Sequence, residues 1–201
     1  MKKIFFIFFI IFIALNVNLN AFGLTEVYSN KNKFGLKKDG IEITPAIYSK
    51  LIRLADTSYI FLKKGKYGII SSDGEILVDA KYTQAQRFIS KYARLGLNGK
   101  YALYDNYGDL IIDREYNSID ILFGRMFLVS KNYKYGLISF DGDIILAPIA
   151  DDIYMPERHI LKILYDGTWY AIEQKDGLTL ELPDDILAIE KDKFNLMQFV
   201  E

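Results

Sequence analysis

Apolar residues recur along this chain in short runs broken by glycine-containing turns, and the runs return at a fixed spacing. Lys33-Phe34-Gly35-Leu36 comes back as Lys66-Tyr67-Gly68-Ile69, then as Lys100-Tyr101-Ala102-Leu103 and Lys134-Tyr135-Gly136-Leu137. A degenerate fifth copy reads Thr168-Trp169-Tyr170-Ala171, and the starts are 33, 34, 34 and 34 residues apart. Two further landmarks keep step. One is a turn pair at Asp39-Gly40, Asp73-Gly74, Tyr107-Gly108, Asp141-Gly142 and Asp176-Gly177; the other is Tyr48, Tyr82 and Tyr116, with Ala150 in the fourth copy.

A period of this length also belongs to helical arrays, so the residues decide the fold. In the second copy Tyr59 to Lys64 reads as a strand, Lys64-Gly65 as a turn, Lys66 to Ser71 as the return strand, Ser72-Asp73-Gly74 as a second turn and Glu75 to Asp79 as a third strand. Asn98-Gly99 and Asp166-Gly167 are dipeptides that two-residue hairpins favour, because both positions need positive φ. Glycine at this regularity is incompatible with helices. The expectation is an all-β chain of about five tandem units, each of about three short antiparallel strands. One unit cannot bury its apolar face alone, so the units stack into an elongated array, with a closed propeller-like or barrel-like arrangement as the alternative. The segments carrying Tyr48, Tyr82 and Tyr116 read as loops or single helical turns. Those three tyrosines are the candidate exposed binding residues, weighed against packing between copies. Phe34, Tyr67, Tyr101, Tyr135 and Trp169 form a second aromatic ladder, read as core in preference to stacking platforms for sugars.

These landmarks together resemble the bacterial WG repeat: a basic residue, Trp, Gly, strand residues, a turn Gly, aliphatic residues, a Pro or small residue, then Tyr. Lys33-Phe34-Gly35, Lys66-Tyr67-Gly68 and Lys134-Tyr135-Gly136 match with Phe or Tyr in place of Trp. Ile43-Thr44-Pro45, Ile47-Tyr48, Ile145, Leu146 and Pro148 carry the later half. Trp169 is followed by Tyr170 and not Gly, and the third copy has Ala102 where the pattern has Gly. The resemblance covers roughly residues 27 to 177. It implies a β-rich array with no catalytic residues to carry over.

The ends read differently. Lys2 and Lys3 precede an unbroken apolar run from Ile4 to Leu15, shorter than the ~20 residues that span a membrane and suited to a secretory signal. The expected organisation is a signal peptide over 1–21, cleaved between Ala21 and Phe22, then repeats over 22–177 and a C-terminal cap over 178–201. An uncleaved N-terminal anchor is the alternative. No transmembrane segment is expected after cleavage. The absence of cysteine excludes disulfides and a lipoprotein anchor at the cleavage site.

Composition sharpens this picture. The chain is 51% hydrophobic and 15% aromatic, with 15 Tyr and 14 Phe, which suits pleated surfaces. Net charge is −1, and removal of Lys2 and Lys3 takes it to −3. No basic patch stands out, so nucleic acid is not an expected partner. His159 is the only histidine, which leaves little for a transition-metal site or a Ser-His-Asp arrangement. Asp105 to Asp109 and Asp141-Gly142-Asp143 lack the ligand spacing of a calcium loop and read as turns. No cofactor is expected. The sequence points to a non-enzymatic repeat protein, periplasmic, secreted or at a bacterial cell surface, binding a protein or an envelope glycan. The alternatives are a glycan hydrolase built on scattered carboxylates or a structural spacer.

Overall fold

The computed structural model describes residues 24–89, 91–122, 126–157 and 160–173. The expected signal segment with Ala21 and Phe22, His159, Asp176-Gly177 and the expected C-terminal cap lie outside the described residues. All regular structure among them is strand, in five antiparallel sheets with meander order. The first sheet holds β1 (Thr25–Asn30), β2 (Lys33–Lys38) and β3 (Ile41–Tyr48). The second holds β4 (Lys50–Leu54), β5 (Ser58–Lys63), β6 (Lys66–Ser71) and β7 (Ile76–Tyr82). The third holds β8 (Gln84–Phe88), β9 (Tyr92–Leu97), β10 (Lys100–Asp105) and β11 (Leu110–Tyr116), and the fourth β12 (Ser118–Leu122), β13 (Met126–Lys131), β14 (Lys134–Ile138) and β15 (Ile144–Ala150). The fifth holds β16 (Asp152–Glu157), β17 (Ile160–Tyr165) and β18 (Thr168–Glu173). Each repeat therefore makes one sheet. Among the described residues no strand ladder joins two sheets, so these strands do not close into a barrel.

The full unit has four strands where three were expected. The segments read as Tyr-bearing loops are not loops. Tyr48, Tyr82 and Tyr116 end β3, β7 and β11, a single bend residue follows each, and a fourth strand begins at once. The bend is held by backbone bonds such as Ser49 N–H to Leu62 O at 2.7 Å and Asn117 N–H to Ser130 O at 2.7 Å. The polar composition of β8, Gln-Ala-Gln-Arg-Phe, hid a strand that is mostly exposed yet fully paired to β9.

The core is divided among the junctions between successive sheets. Leu36 and Tyr48 of the first sheet meet Tyr59, Phe61 and Ile70 of the second. On the opposite face of the second sheet, Ile60, Ile69, Val78 and Tyr82 meet Ala93, Leu95 and Ala102 of the third. The pattern continues with Leu103, Ile112 and Tyr116 against Ile119, Phe127 and Val129, then Leu137 and Leu146 against Ile153, Leu161 and Ile163. A sheet covered on both faces needs unbroken apolar runs, which is why β5 reads Tyr-Ile-Phe-Leu without alternation. Each buried side chain of this size contributes about 1.5–3 kcal/mol.

Hairpin turns follow the expectation. Lys64 and Gly65 have φ of 51° and 76°, Asn98 and Gly99 55° and 71°, Asp166 and Gly167 47° and 75°. All lie in the left-handed region that tight hairpins require.

Candidate binding surface

The motif residues are accounted for by the fold. Phe34, Tyr67 and Tyr101 pair directly across strands with Tyr48, Tyr82 and Tyr116, and Tyr135 pairs with Ala150. Between this pair and the next one, the last strand of each of the first four sheets (β3, β7, β11 and β15) carries two extra residues. That bulge explains both the glycine and the prolines. A Cβ on Gly35, Gly68 or Gly136 would lie 2.5, 2.4 or 2.6 Å from the carbonyl oxygen of Thr44, Val78 or Leu146 at the start of the bulge. Pro45 and Pro148 sit inside the bulge, where no ladder donor is needed.

The basic residue of the motif ties down the bend. Lys33 Nζ donates to Ser49 Oγ at 2.9 Å, Lys100 Nζ to Asn117 Oδ1 at 3.0 Å, and Lys134 Nζ to the Asp151 carboxylate.

Tyr48, Tyr82 and Tyr116 are buried, at most 4% exposed. They pack onto the next sheet. Tyr48 stacks tilted on Phe61 at 5.1 Å, the Tyr82 hydroxyl bonds that of Tyr104 at 2.7 Å, and Tyr116 joins the cluster around Phe127. Burial holds all three phenols above their ordinary pKa; the Tyr104 hydroxyl adds to this for Tyr82, and the Glu115 charge for Tyr116. As they stand they offer no face to a ligand. The other ladder also departs from expectation. Phe34, Tyr67, Tyr101 and Tyr135 are half-buried, and Trp169 is exposed, edge-on to Tyr154 at 5.3 Å.

The second turn of each unit is the fixed point of stacking. Gly74, Gly108 and Gly142 have φ of 89°, 89° and 96°. Ser71 Oγ accepts from the N–H groups of Asp73 and Glu75, Asp105 Oδ1 from Tyr107 and Asp109, and Ser139 Oγ from Asp141 and Asp143. Each glycine lies against the last strand of the preceding sheet: a Cβ would come within 2.9 Å of Ile43, 2.7 Å of Leu77 and 2.8 Å of the Ile111 carbonyl. Polar bonds reinforce the same junctions, with Thr25 Oγ1 donating to Ser72 O, Asn106 Nδ2 to Thr57 Oγ1, and Tyr92 Oη to Phe140 O.

Beside these turns runs a feature that the fold does not need. Ile41, Ile76, Leu110 and Ile144 stand at the starts of β3, β7, β11 and β15, the last strands of the first four sheets, exposed by 73, 45, 49 and 61%. Because the turns rest on residues just after the previous aliphatic (Gly74 on Ile43, Gly108 on Leu77, Gly142 on Ile111), these side chains form a row with one member in each of the first four sheets. The row is legible in the sequence: Ile76, Leu110 and Ile144 are each 34 residues apart. Glu75, Asp109 and Asp143 precede them, all exposed. At the junction of the third and fourth sheets the row borders a groove of about 380 Å³ lined by Lys91, Asp105, Asn106, Tyr107, Phe140 and Asp141. No group of three or more side chains suited to holding a metal ion occurs among the described residues.

Comparison with known proteins bears on the repeat. Residues 67–101, one full period from Tyr67 to Tyr101, match the family described as WG containing repeat. No curated protein matches the chain. Among solved structures, Kluyveromyces lactis Hsv2 is similar at 9% identity with a TM-score of 0.36, over 78% of this chain and 59% of that one. PorZ, a surface component of the type-IX secretion system of Porphyromonas gingivalis, is similar at 14% identity and a TM-score of 0.32, over 80% of this chain and 25% of that one. A protein of unknown function from Bacteroides caccae is similar at 12% identity and a TM-score of 0.28, over 80% of this chain and 77% of that one.

Proposed function

We propose that this chain, whose residues 67–101 match the WG containing repeat, is a non-enzymatic binding module of the bacterial cell envelope, exported by its N-terminal signal and cleaved after Ala21. One observation carries the binding reading: the exposed aliphatic row Ile41, Ile76, Leu110 and Ile144 recurs once per repeat although no junction core uses it. A repeated exposed apolar position costs solubility in a protein with no partner, and repeat arrays present extended surfaces to proteins or polymers. Lys33 and Lys100 are engaged in holding bends and Asp105 in holding a turn, whereas the row is engaged in none of these contacts.

The test is export and retention. The mature protein is expected to begin at Phe22, to leave the cytoplasm, and to sediment with envelope fragments. A mature protein still beginning at Met1 contradicts the cleavage, and a cleaved protein that sediments with neither envelope proteins nor cell-wall glycan contradicts the module reading.

A further inference from the structure

The aliphatic row lies on an acidic edge, and that pairing specifies the partner. This step rests on the binding-module reading above. The segments from Ser71 to Leu77, from Asp105 to Ile111 and from Ser139 to Ile145 contain no lysine or arginine. Glu75, Asp109, Asp141 and Asp143 are exposed there and make no ion pair among the described residues, while Asp73 reaches Lys38 at 3.8 Å. The edge thus repeats an acidic residue followed by an aliphatic one: Glu75-Ile76, Asp109-Leu110, Asp143-Ile144.

We infer that this edge binds a basic, extended segment of a protein partner that carries an aliphatic side chain at about every third residue. Charge complementarity selects the basic residues, because unpaired carboxylates beside an apolar row repel an acidic partner and attract lysine or arginine. Geometry selects the spacing. Sheets packed face to face lie about 10 Å apart. A polyproline II segment rises about 3.1 Å per residue with three residues per turn, so it returns the same face every ~9 Å. A β-strand returns the same face every ~7 Å and falls out of step. A helical turn of about 5 Å meets the row only at alternate turns. The groove beside the row fits the end of one basic side chain: Asp105 and Asp141 supply carboxylates, and the exposed ring of Tyr107 supplies a cation-binding face. Lys91 shares that rim with its ammonium 5.0 Å over the Tyr92 ring.

The test uses the full chain and a fluorescently labelled peptide of repeating Lys-Pro-Leu, with repeating Lys-Pro-Gly and Glu-Pro-Leu as controls, read by anisotropy. Lys-Pro-Leu is expected to bind at least about tenfold more tightly than either control, and more weakly as salt is raised. Combining Ile76→Asp, Leu110→Asp and Ile144→Asp is expected to weaken it about tenfold or more. Should that variant fold poorly, reversing only exposed charges with Glu75→Lys, Asp109→Lys and Asp143→Lys is expected to abolish the interaction in a folded protein. Equal binding of Lys-Pro-Gly reduces the contact to bulk charge and overturns the inference, as does Lys-Pro-Leu binding that neither variant alters. Binding to purified cell-wall glycan without binding to the peptide overturns the partner assignment and leaves the envelope-module reading standing. Binding to neither overturns both.

Discussion

A single methyl group is enough to disturb the triplet glycines. At Gly68 an added Cβ would lie 2.4 Å from the Val78 carbonyl oxygen and 2.7 Å from the Phe61 ring, and both neighbours are buried in a junction. Gly35 meets Thr44 and the Tyr28 ring in the same way. In the third copy the residue is Ala102, which pairs with Leu95 and not with an aromatic. There the ring and the glycine have changed strands, with Tyr101 lying over Gly96. Overpacking of this kind costs about 1–3 kcal/mol, so Gly68→Ala is expected to lower the denaturant midpoint clearly. A midpoint unchanged from wild type would show that the bulge relaxes around the methyl.

At the scale of the turn and the sheet, position within the stack should decide the effect of a substitution. Gly40 has φ 78° and no atom within 4 Å of a Cβ, whereas Gly142 has φ 96° and the Ile111 carbonyl at 2.8 Å. Gly40→Ala is expected to cost only the left-handed backbone penalty of about 1–2 kcal/mol. Gly142→Ala adds a clash to the same penalty and is expected to destabilise more, as urea unfolding of the two variants would show. Equal losses would mean that the turn does not bear on the preceding sheet. Most of this element structure was legible in the chain. The period, the Asn98-Gly99 and Asp166-Gly167 hairpins and the all-β character follow from residue types whose conformational demands are local. The fourth strand was not legible, because Gln84 to Phe88 and Lys50 to Leu54 carry polar residues and take their stability from pairing with a neighbouring strand. The tyrosines were misplaced for the same reason: Tyr82 lies between Lys81 and Thr83, and nothing local says that its ring turns under the next sheet. The exposed row was legible and passed over, since Ile76, Leu110 and Ile144 look like ordinary core residues until their surroundings are known.

The whole molecule is a series in which each sheet completes the core of the one before, so its stability is tied to groups buried at the junctions. Tyr48, Tyr59, Tyr82 and Tyr116 are held above the ordinary phenol pKa, in each case chiefly by burial. The unfolded chain therefore releases these protons first, at about pH 10. Stability is full below that pH and falls as pH rises above it toward the folded-state values. In an alkaline titration the tyrosinate absorbance of these residues is expected to appear together with the loss of β-sheet circular dichroism. Smooth ionisation with the sheet signal intact would contradict their placement. The exposed row belongs to no junction, and its removal should leave that stability in place while removing function. The most direct test is sedimentation of the protein with envelope fragments, wild type against the combined Ile76→Asp, Leu110→Asp and Ile144→Asp variant. Wild type is expected in the pellet and the variant, still folded, in the supernatant; a folded variant that sediments as fully as wild type would contradict the claim that the row is the binding surface.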